Sequence, residues 1–114
     1  MNRLEESEVI KQLKVLQYHQ SLIVTMLTKS QDEFYKLVIQ KGLTEDDVQK
    51  FHSKCVHLSI QLEEQKAEGF VYFHPLYLQF LDSLPSNLTA KEVILACISQ
   101  NLYLTLMTEL KNYL

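Results

Sequence analysis

Two glycines, two prolines, two cysteines and no tryptophan among 114 residues leave several architectures without raw material. Phosphate-cradling loops and dinucleotide fingerprints need closely spaced glycines, and a turn-dense β sandwich needs many more turn residues, so all three are excluded. Cys55 and Cys97 form no CxxC pair and fall far short of the cysteine density on which small secreted scaffolds rely. Both read as reduced, buried, small apolar residues. A single arginine, Arg3, and a net charge of −3 speak against a nucleic-acid groove reader, whose footprint is basic. No apolar run approaches the ~18 residues of a membrane helix, and the opening MNRLEESEVIKQ lacks the apolar stretch of a signal peptide, so the expectation is a cytosolic protein. What is present, 46% apolar and 22% charged residues, is the composition of an ordinary globular domain, and a chain of this length has room for one.

Periodicity makes that domain all-α. Val9, Leu13, Leu16, Gln20, Ile23 and Leu27 alternate steps of four and three, the rhythm of a helix packing along a narrow seam, and predict a long amphipathic helix from about Leu4 or Ser7 to Lys29. Residues 1–29 are therefore expected to form an oligomerisation element and 30–114 a helical core, with Gln20 either a polar residue at the rim of the stripe, the preferred reading, or a polar contact that sets the register of an oligomer. Ser30-Gln31-Asp32-Glu33 has the spacing of a capping box opening a second, short helix that buries Phe34, Leu37 and Val38 and ends at Gly42. Thr44 caps a third helix, with Glu45, Asp46 and Asp47 in its first turn. Its stripe of Val48, Phe51, Cys55, Leu58 and Leu62 runs to about Ala67, closed by Gly69, and the two long helices are expected to pair.

Phe70-Val71-Tyr72-Phe73 has no second strand to pair with, so it reads as an extended buried connector in which Phe70 and Phe73 plug the core. Pro75 then stands at the first position of a fourth helix, with Leu76, Phe80 and Leu81 inward and an end before Pro85. Thr89 and Glu92 form another capping box, ahead of a fifth helix that presents Val93, Ile94, Cys97 and Ile98 on one face. Asn101, in left-handed geometry, turns the chain into a sixth helix carrying Leu102, Leu106, Met107 and Leu110. The fold class expected is a single-domain bundle of about six helices.

Three segments, FYKLVIQKGLTEDDV (Phe34 to Val48), QLEEQKAEGFVYFHPLYLQFL (Gln61 to Leu81) and ISQNLYLTLM (Ile98 to Met107), resemble the YhaI-like family of small proteins from spore-forming bacteria and their phages. Gln65 to Val71 is the most specific part, and the family usually carries glycine where this chain has Asn101. The resemblance implies an all-α fold that self-associates and supplies no catalytic residues; some members are labelled as transcription factors.

Chemistry finds little to work with. His52 and Cys55, three apart, could share a helix face, but His57 points elsewhere and no fourth ligand stands nearby, so a core cysteine beside exposed histidines is the preferred reading and no metal is expected. No serine or cysteine sits in a nucleophile motif with a base and oxyanion donors. The acidic clusters Glu5-Glu6-Ser7-Glu8, Glu45-Asp46-Asp47 and Glu63-Glu64 fall at helix N-termini or on solvated faces, and His74 reads as a residue at a helix start. Neither catalysis nor a cofactor is expected. Surplus amphipathic surface points instead to a small regulatory or inhibitory protein that binds copies of itself, as a dimer or trimer, and another protein; the alternative is a transcription regulator binding DNA as an oligomer.

Overall fold

The structure, a computed structural model, describes residues 2–28 and 32–114. Among them lie six helices and no strand: α1 (Arg3–Thr28), α2 (Glu33–Gln40), α3 (Glu45–Ala67), α4 (His74–Ser83), α5 (Ala90–Ser99) and α6 (Leu104–Lys111). None of them is long and apolar enough to cross a membrane.

Helix ends follow local chemistry where the chain supplies it. At the start of α3 the Thr44 hydroxyl accepts from the Asp47 amide at 3.1 Å while the Asp47 carboxylate accepts from the Thr44 amide at 2.9 Å. Thr89 and Glu92 do the same for α5. Each box satisfies two amides that a helix otherwise leaves without partners. Gly42, at φ +66, and Gly69, at φ +91, end α2 and α3 in the left-handed region that side chains disfavour.

The start of α2 differs from the expected box. Ser30 lies outside the described residues, and the helix opens at Glu33 with Asp32 as its N-cap, whose side chain makes no capping bond. The cap comes from elsewhere: Gln100, at the end of α5, accepts from the amides of Phe34 and Tyr35 at 3.0 and 3.2 Å.

The core lies inside the bundle of α2 to α6. Helix α5 packs on α6 and α2, α3 packs on α4 and α6, and α4 also touches α6. Phe34, Val38, Cys55, Leu58, Leu62, Leu76, Phe80, Ile94, Cys97, Met107 and Leu110 are fully or almost fully buried among these elements. Phe34 stacks on Phe51 with ring centroids 5.1 Å apart, and Phe51 meets Phe80 edge-on at 6.2 Å.

Five expectations need correction here. The two long helices do not pair along their stripes, because α1 meets the body chiefly through α2. The connector between α3 and α4 is not buried: Phe73 is, but Phe70 is 51% exposed and Val71 90%, and Phe70 plugs nothing. Pro75 is the second residue of α4, which opens at His74, and Leu81 faces outward. Leu102 precedes α6 rather than belonging to it. The turn before α6 holds two left-handed residues, Asn101 at φ 58 as expected and Tyr103 at φ 50.

Candidate functional site

Helix α1 is about 39 Å long at ~1.5 Å per residue, and residues 2–14 are exposed at every position. Further along, Leu22 is buried, Val15, Tyr18, Thr25 and Met26 are half-buried, and the His19 Nε2 stands 2.9 Å from the Leu43 carbonyl oxygen. These positions recur every three or four residues and mark the face by which α1 lies on the body.

The seam read from the sequence is a different face. At ~100° per residue, Val9, Leu13, Leu16, Gln20 and Ile23 centre about 140° around the helix from the docked residues. All five are exposed, with Leu16 at 61%. The Leu27 side chain lies outside the described ones. Helix α1 thus carries two apolar stripes, one against α2 and one facing solvent, with the exposed Ile10 between them. Near its start, α1 and the first turn of α3 bound an open cleft lined by Ile10, Lys11, Lys14, Val15, Glu45 and Asp46.

Of the residues that could carry chemistry, Cys55 and Cys97 lie near one another and His52 stands close by against Tyr103, while His57 faces another partner. Cys55 is fully buried, and burial followed by the nearness of Cys97 pushes its thiol far above the ordinary range. Burial pushes Cys97 up to about 12. Neither supplies the thiolate that attacks or ligates at neutral pH. The His52 Nδ1 sits 2.9 Å from the Tyr103 hydroxyl, and its half-buried ring is held below the usual histidine range by desolvation. His57 is exposed and pairs with Gln61. No group of three His, Cys, Asp or Glu side chains placed to hold a metal ion occurs among the described residues. His74 packs among the rings of Tyr72, Tyr77 and Tyr113 at 5.5–5.9 Å, an aromatic cluster around the start of α4, and the Tyr113 hydroxyl accepts from the Phe73 amide at 2.8 Å.

A family model covers residues 7–114. The chain belongs to the DUF1878 family, described as proteins of unknown function. For this DUF1878 chain the match takes in the exposed stripe of α1 together with the whole of the α2–α6 body.

Sequence reasoning missed the docked face of α1, the capping role of Gln100 and the backbone of Tyr103. The first was signalled by the spacing of Val15, Tyr18 and Leu22. The other two depend on partners far away in sequence and had no local signal.

Proposed function

We propose that this chain is a non-enzymatic regulatory or inhibitory protein of the cytoplasm that acts by protein–protein binding, and that the Val9, Leu13, Leu16, Gln20 and Ile23 stripe is the face it uses. One observation carries the reading: α1 docks by one side and leaves a second apolar side in water. An isolated helix is marginal in water, so the first turns of α1, exposed all round, gain most from a partner helix. The first partner is a second copy, in a dimer or trimer. Each of the four apolar side chains, Val9, Leu13, Leu16 and Ile23, is worth ~1.5–3 kcal/mol when fully buried, and even the half that is exposed adds up to several kcal/mol over the stripe. The resemblance to the YhaI-like proteins of spore-forming bacteria, which implies self-association, points the same way.

Light scattering tests it. At tens of micromolar the wild-type chain should run at a dimer or trimer mass, and Leu16→Asp should run at 13.4 kDa. A wild-type monomer, or an unchanged mass in the variant, defeats the proposal. Pull-down with the wild-type chain should then recover one stoichiometric protein that Leu13→Asp loses. Recovery of DNA alone, with affinity falling steeply as salt rises, would favour a DNA-binding oligomer instead.

A further inference from the structure

A separate cleft lies on the other side of α3. Phe34 of α2, Leu43, Phe51 of α3, and Pro85 and Leu88 of the α4–α5 loop line it, and it encloses about 270 Å³. Along one edge run Asp47, Lys50 and Lys54. We propose that this cleft binds a small organic monocarboxylate, its apolar end against Phe51, Pro85 and Leu88 and its carboxylate on the Lys54 ammonium.

The charges on that edge select the ligand. Lys50 already holds Asp46 at 2.9 Å, and the Asp47 carboxylate is engaged by the Thr44 amide. Ser83, also on the wall, donates its hydroxyl to the Phe80 carbonyl oxygen at 2.7 Å. Lys54 makes no ion pair among the described residues, yet it is half-buried, with its position on α3 bringing its aliphatic stem to the apolar lining. Lys54, a cation with no carboxylate in ion-pair contact among the described residues, stands beside the apolar lining and matches one anion on an apolar body. A second carboxylate would meet Asp47, so a monoacid fits better than a diacid.

Size points the same way. At about 270 Å³ the cleft lies just below the ~300–1,000 Å³ typical of ligand pockets. That small size suits an aryl or branched short-chain acid better than a nucleotide. A peptide could insert no more than one side chain.

The test is a titration of the ¹⁵N-labelled full chain, followed by its amide resonances, with phenylacetate and with its uncharged isostere phenylacetamide. Phenylacetate should give saturable shifts confined to the residues around Asp47 to Lys54 and Ser83 to Leu88. Phenylacetamide should bind at least about tenfold more weakly, the worth of one charge-assisted hydrogen bond. Lys54→Gln should weaken the acid by a similar factor and leave the amide unchanged, and Leu88→Trp should block both by filling the cleft. Equal binding of acid and amide overturns the proposal, as do shifts centred elsewhere, an indifferent Lys54→Gln, or no saturation at millimolar acid; in that last case the cleft is left to a protein side chain. The acid-to-amide comparison on the wild-type chain decides even if Leu88→Trp fails to fold.

Discussion

Tyr103 carries a bulky side chain at φ 50, a backbone geometry that non-glycine residues adopt at a cost of order 1–3 kcal/mol. Its ring and hydroxyl offset that strain by packing beside His52 and standing 2.9 Å from the imidazole Nδ1. Asn101, two residues earlier, was legible because asparagine is the side chain most at ease in this region; nothing about a tyrosine announces the same. The His52–Tyr103 contact has a pH signature. The unfolded chain protonates His52 near pH 6.5 and the folded chain only at lower pH, because burial disfavours the charged ring. Protons therefore favour the unfolded chain, and the stability due to a neutral His52 is present above about pH 6.5 and lost as the pH falls through and below that value. Melting temperatures taken at about pH 7.5 and about pH 5.5 should differ less in His52→Gln than in the wild type. Equal differences would mean that His52 titrates alike in both states.

Among the helices, ends were readable and beginnings only sometimes. Thr44, Thr89, Gly42 and Gly69 act within four residues of themselves, so the rules of capping and left-handed termination suffice to place them. The beginning of α2 could not be read this way, since its amides are satisfied by a side chain 66 positions away. The segment from Phe70 to Phe73 was misjudged for a related reason. Aromatic content suggests burial, but which ring turns inward depends on where α4 and the last turn of the chain stand, and here Tyr72 joins an outer cluster with His74 and Tyr113. Gly69 offers a clean check on the helix end. A Cβ there would meet nothing within 4 Å, so any loss in Gly69→Val comes from the backbone at φ +91 and not from a clash. The variant should lose more than ~1 kcal/mol in denaturant unfolding with an unchanged slope. A wild-type midpoint would show that the turn relaxes out of the left-handed region at no expense.

For the molecule as a whole, the class, the number of helices and most of the core could be read from periodicity, because α2 to α6 each present one apolar stripe and the bundle hides it. Helix α1 has two stripes, and periodicity cannot rank them. Val15, Tyr18 and Leu22 won the body because α2 and the turn at Leu43 meet that side, which leaves the more regular seam outside and stretches the molecule to 60 Å in its longest dimension. The candidate face was thus legible as a list of residues but not as an exposed one. The Gln100 cap also sets how the chain comes apart. An eight-residue helix would ordinarily fray at its first turn, giving up its amide protons to solvent through openings that touch nothing else. In this chain the amides of Phe34 and Tyr35 are tied to the Gln100 side chain at the far end of α5, so they are freed only when that side chain turns away or α2 parts from α5. Their deuterium uptake should be slower than that of an uncapped first turn, and Gln100→Ala should speed it at those two amides well before it alters the rest of the bundle; uptake in the wild type as fast as in the variant would mean that the cap does not hold α2 to α5.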